Sequence, residues 1–154
     1  MLEPKLPKAA IILGAAGLMP QSFCLILVAF FPEWRWLALS AACFYAAIIL
    51  AFLGGLWWMQ GLLSNSSDPT PYIGGVVPPI LGWLALLPWC LGWNWPVPSL
   101  ILLALALVGS PMVDRVLARR TRLPVRWMTL RWTLAIGLGG LSLVVGLFPL
   151  FFRP

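Results

Sequence analysis

The sequence predicts an all-α fold: a polytopic membrane helix bundle with five transmembrane helices, filling a single integral domain over residues 1–154. Two observations predict it. Hydrophobic residues make up 62% of the chain and charged ones only 9%, with mean hydropathy +0.97. A soluble domain is roughly a quarter charged, so lipid must cover most of this exterior. The apolar residues also fall into five runs, each near the ~20 residues that cross a bilayer. The segments between them are short and rich in turn residues and tryptophan, which leaves no room for a separate soluble domain.

The first span is expected over 9–31, after a polar start carrying Lys5 and Lys8. It is too long for the apolar core of a signal peptide and lacks a clear small-residue cleavage site. Pro20 lies near its middle and removes the donor that would bond the Ala16 carbonyl. Gln21 and Ser22 follow at once and offer replacement hydrogen bonds. Pro20-Gln21-Ser22 is read as a kink with local hydrogen bonding; the alternative is a mid-membrane binding element. Pro32-Glu33-Trp34-Arg35-Trp36 then forms a polar turn with two interfacial tryptophans.

The second span, 36–63, contains the organising stretch Tyr45–Gly61, YAAIILAFLGGLWWMQG. Ala47, Ala51 and Gly55 recur every fourth position and are expected to form one helix-packing face. Tyr45 joins the candidate intramembrane polar positions. Ser64–Pro71, SNSSDPTP, is the clearest polar loop. The third span, 72–91, contains Gly74-Gly75, Pro78-Pro79, Gly82 and Pro88. Adjacent prolines delete two backbone donors, so a kink or break is expected there. Broken helices at membrane depth can line transport sites, or can be bends buried against neighbours. GWNWPVP makes a tight aromatic turn, and the fourth span runs over 97–117. The fifth, 127–152, carries Gly137, Gly139, Gly140 and Gly146, small enough for close helix approach.

The net charge of +6 does not point to nucleic acid, because the basic residues cluster beside spans. Arg115, Arg119, Arg120, Arg122, Arg126 and Arg131 lie in or next to the connection between spans four and five. Such a loop orients the chain and touches anionic lipid headgroups; Arg119, Arg120, Arg122 and Arg126 are the expected lipid contacts. With Lys5 and Lys8 these six arginines share one side, against Arg35 and Arg153 on the other. The positive-inside rule then puts the N-terminus in the cytoplasm and the C-terminus in the periplasm of a bacterial inner membrane.

The absences narrow the chemistry. The chain has no histidine, and its four acids, Glu3, Glu33, Asp68 and Asp114, fall at or beyond expected helix ends. No carboxylate is placed near a midplane for proton or cation transport. Neither a phosphate-binding glycine loop nor a nucleophile elbow occurs. Cys24, Cys43 and Cys90 lie in apolar runs, are odd in number and form no CxxC. The best polar pair is Asp114, closing span four, with Arg131, one turn inside span five. The two either meet as a structural ion pair that fixes the packing of these helices or snorkel separately to the interface. No catalytic, metal or cofactor-binding residue is expected, and no cofactor.

LGAAGLMP at 13–20, YAAIILAFLGGLWW at 45–58, PPILGWLAL at 78–86, Asp114, and LPVRWMTLRWTL at 123–134 occur in an order that resembles the transmembrane protein 69 family. These are small multi-span proteins of bacterial and mitochondrial inner membranes, and the resemblance brings no established activity. The family often carries Gly-Gly-x-His-Trp where this chain has Gly54-Gly55-Leu56-Trp57-Trp58, so Trp57 stands in the place of a histidine. The expectation is a non-catalytic inner-membrane protein, an accessory or assembly subunit of a larger membrane complex. The alternative is a small transporter or channel for a neutral or lipidic molecule. The expected partners are the bilayer, its anionic lipids and other membrane subunits, with no nucleic acid.

Overall fold

Five helical spans long and apolar enough to cross a membrane organise the computed structural model. It describes residues 6–64, 67–93, 96–118 and 125–151, and contains no strand among them. The first span is two helices, α1 (Lys8–Ala16) and α2 (Met19–Phe30). A 3₁₀ turn at Pro32–Trp34 leads into α3 (Arg35–Leu63), followed by α4 (Thr70–Cys90), α5 (Val97–Ala118) and α6 (Val125–Phe151).

The first span breaks one turn earlier than the proline suggests. The helix stops at Gly17-Leu18, and Pro20 falls in the first turn of α2, where a missing N–H costs little. Two hydroxyls cover the loosened backbone. Tyr45 of α3 donates to the Gly17 carbonyl, and Ser22 Oγ donates to the Leu18 carbonyl at 3.0 Å. Gln21 does not take part. Its side chain is fully buried and Nε2 donates across to Ser142 Oγ of α6 at 2.9 Å.

The third span is neither broken nor split. α4 runs as one helix through Pro78, Pro79 and Pro88, so of the expected kink or break the structure excludes the break. Pro79 has no N–H for the Gly75 carbonyl, and that oxygen instead fills the space where a side chain on Gly54 of α3 would stand. Such close glycine contact brings Cα–H groups against carbonyls and keeps the proline-bearing helix seated. Gly54 rather than Gly55 is therefore the packing glycine of α3. A Cβ on Gly55 would meet nothing within 4 Å. The expected face of Ala47, Ala51 and Gly55 rotates away from the bundle towards its C-terminal end: Ala47 is buried, Ala51 half-buried and Gly55 exposed.

α3 is the most buried span and packs along α4, while α5 pairs with α6. The α3–α4 hairpin is bracketed by aromatic pairs. Trp36 stacks on Trp89 at one end, with ring centroids 5.5 Å apart. Trp58 meets Tyr72 edge to face at 5.2 Å at the other. In α5–α6, a Cβ on Gly139 would stand 2.9 Å from the Ala104 carbonyl oxygen, so only glycine permits that approach. The buried core runs from Val28 through Ala46, Leu50 and Leu53 of α3 to Leu103 and Leu107 of α5. The exposed residues are mostly large apolar ones, as a lipid-facing surface requires.

Candidate functional site

The polar centre of the bundle forms where α3, α5 and α6 meet. Asp114 and Arg131 are both buried and form an ion pair, with Arg131 Nε donating to Asp114 Oδ2 at 2.7 Å. Arg131 lies six residues into α6, about 9 Å along its axis, and is enclosed there by the bundle. Separate snorkelling is not what the chain does. The other carboxylate oxygen, Oδ1, accepts the indole N–H of Trp57 at 2.7 Å. Both oxygens of Asp114 thus have a donor, the condition for keeping a carboxylate away from water.

Ser110 completes the cluster through a proline effect. Pro111 has no N–H to offer the Leu107 carbonyl, and Ser110 Oγ donates to that carbonyl at 2.7 Å. The same hydroxyl oxygen accepts from Arg131 Nη2 at 3.2 Å. Arg131 therefore spends Nε on Asp114 and Nη2 on Ser110, while Nη1 has no hydrogen-bond partner among the described residues.

Arg131 and Ser110 are also the charged and hydroxyl-bearing residues at the wall of a cavity of about 190 Å³ between α1, α3, α5 and α6. Its other walls are apolar, among them Ile49, Leu107 and Leu138, with Gly17 and Leu18 of the helix break contributing. Leu13 and Phe52 line it and are exposed, so the cavity opens towards the lipid-facing surface there. The side chains of Pro78 and Pro79 take no part in it. The irregular backbone of α4 thus serves packing against α3, and the expected polar positions separate. Tyr45 and Ser22 secure the break, and Gln21 forms its own buried pair with Ser142.

A family model described as protein of unknown function, DUF3429, matches residues 6–148. The chain belongs to the DUF3429 family. It is also 36% identical over 88 residues to Transmembrane protein 69 of Xenopus tropicalis. That match covers 53% of this chain and 33% of the Xenopus protein, so it spans about a third of the relative's length. No solved structure matches the chain. The family resemblance carried by the helical motifs and Asp114 is therefore correct.

In this DUF3429 protein two participants escaped the sequence reading: Trp57 as a donor to Asp114, and Ser110 as the bridge to Arg131. Each left a signal. Histidine and tryptophan at position 57 share a ring N–H, and a serine immediately before a proline is well placed to cap the carbonyl the proline abandons. Arg126 is exposed on the first turn of α6. Arg119, Arg120 and Arg122, the other expected lipid contacts, lie outside the described residues.

Proposed function

We propose that this is a non-catalytic integral membrane protein that takes a lipophilic molecule from the bilayer into the cavity beside Arg131. The observation that supports this reading is the cavity itself: apolar walls, an opening beside exposed Leu13 and Phe52, and a polar end made by Arg131 and Ser110. Ligand sites are mostly apolar concavities with a few convergent polar groups, and this one has that composition. The membrane it occupies is proposed to be a bacterial inner membrane, with the N-terminus in the cytoplasm, the C-terminus in the periplasm and the arginine cluster against anionic headgroups. Native mass spectrometry of the chain released from lipid nanodiscs tests the reading. A retained lipophile of defined mass, lost when Ile49→Trp fills the cavity, is expected. A chain that flies bare and is stabilised by no lipophile overturns it.

A second reading, an accessory subunit of a larger complex, draws on a different feature. Ala51 and Gly55 leave a shallow strip on α3, and a Cβ on Gly55 would meet nothing within 4 Å among the described residues. Small-residue strips admit the backbone of another helix. Mild-detergent purification checks it: a co-purifying membrane protein lost on Gly55→Leu supports it, and a lone chain removes it.

A further inference from the structure

We infer that the cavity recognises a neutral, ring-sized head bearing a carbonyl oxygen on an apolar tail, the chemistry of an alkylated quinone. The inference rests on the lipophile-binding reading and adds the head group.

The polar end of the cavity offers donors. Arg131 has five N–H groups, and the structure gives protein partners to Nε and Nη2 while Nη1 has none among the described residues. The Ser110 hydroxyl already donates to the Leu107 carbonyl, and its oxygen already accepts from Arg131. Both oxygens of Asp114 are engaged by Arg131 and Trp57. A molecule entering here meets a charged donor without a protein partner among the described residues, whereas each oxygen beside it already accepts a hydrogen bond, so a head that brings an acceptor uses what the site has left over. An alcohol head must also place its O–H against an oxygen that already accepts a hydrogen bond, a requirement a carbonyl head does not have.

Charge then separates a carbonyl from an anion. The positive charge of Arg131 is balanced by Asp114 at 2.7 Å, and both side chains are buried. A carboxylate or phosphate would bring a second negative charge to one positive one and leave the site charged in a low dielectric. A carbonyl keeps it neutral and still takes the charge-assisted hydrogen bond.

Size selects the shape. A cavity of about 190 Å³ exceeds the ~150 Å³ of an engineered apolar cavity known to admit benzene. It accommodates one substituted ring, with the tail leaving between Leu13 and Phe52 into lipid. A glycerolipid ester would bring its charged phosphate close behind.

Four probes with the same ten-carbon tail test this on the full-length protein in detergent: a decyl-substituted benzoquinone, decanol, decanoate and decane. Ligand-dependent rise of the unfolding midpoint reads affinity. The quinone is expected to stabilise saturably and about tenfold more tightly than the other three, the worth of one hydrogen bond to a charged donor. Ile49→Trp should abolish its effect by filling the cavity. Arg131→Lys keeps a cation for Asp114 but loses the fork that reaches both partner and ligand, so quinone affinity should fall about tenfold while decane is unaffected. Should Arg131→Lys not fold, Ile49→Trp and the probe ranking carry the test. Decanoate or decanol binding as well as the quinone, or equal binding of all four, overturns the head-group inference and leaves lipophile binding standing. Unchanged quinone affinity in folded Arg131→Lys overturns it too. No response to any probe removes both.

Discussion

Trp57 donates its indole N–H to Asp114 at 2.7 Å, tying the middle spans of the bundle together through one carboxylate. The residue that looked like a departure from the family pattern is thus a working member of the polar centre. Its contribution is a ring N–H, which a histidine at this position would also carry. Leu and His are similar in volume and both leave a void when they replace Trp, so comparing them isolates the donor. Trp57→Leu should be less stable than Trp57→His by about 1–2 kcal/mol, the usual worth of a hydrogen bond to a charged group between membrane helices. Thermal unfolding in one detergent measures the difference, and equal midpoints would contradict the role assigned to the N–H.

The ion pair behind that contact makes a non-additive prediction. Asp114→Leu strands the guanidinium of Arg131, and Arg131→Met strands the carboxylate of Asp114. Removing one partner of a buried pair costs about 3–5 kcal/mol, because the remaining charge is left uncompensated. The double variant leaves no orphaned charge and should recover most of that loss. Denaturant unfolding of all four chains gives the coupling energy. A double variant as unstable as the sum of the singles would mean the pair is not a unit.

The sequence made part of this centre readable and hid the rest for a physical reason. Spans four and five are consecutive and antiparallel, so Asp114 and Arg131 were bound to lie at similar depth on neighbouring helices, and only helix rotation was left to decide whether they meet. Trp57 belongs to α3, whose rotation about its axis no short loop dictates. Each residue step turns a helix by about 100°, so an error of one position moves a side chain to another face. That error separates Gly55, which carries the regular four-residue spacing, from Gly54, which makes the contact. The cavity was less legible still. It exists where four helices fail to close, at a break displaced from Pro20 to Gly17-Leu18. Local pattern reports where a helix wants to end, and the void left by its neighbours is a property of the assembled bundle.

The two adjacent glycines give a sharp test of the packing of α3. Gly54→Ala would drive a methyl into the Gly75 carbonyl oxygen, backbone that cannot swing aside. Overpacking of this kind costs about 1–3 kcal/mol. Gly55→Ala adds the same methyl to open surface and should leave stability unchanged or raise it by up to about 1 kcal/mol, because Ala favours a helix interior over Gly. The same unfolding assay separates them. Equal changes at both positions would mean that the close approach to Gly75 does not govern this stretch.

Topology follows from charge and can be read with thiols. Cys24 and Cys43 are buried, so an aqueous maleimide reaches neither, and Cys90→Ser removes the exposed third. In that background Ser67→Cys marks the loop between α3 and α4, and Trp93→Cys marks the turn after α4. α4 crosses the membrane between them, so the two thiols must face opposite compartments. The arginine-rich connection lies one further span along and shares the side of Ser67, because α4 and α5 together cross twice. That side is expected to be the cytoplasm, since translocating so many arginines is disfavoured. Impermeant maleimide added to spheroplasts should therefore label Trp93→Cys at once and Ser67→Cys only after lysis. The reverse order would invert the chain. Labelling of both from outside would break the antiparallel hairpin on which the positions of Trp57 and Asp114 depend.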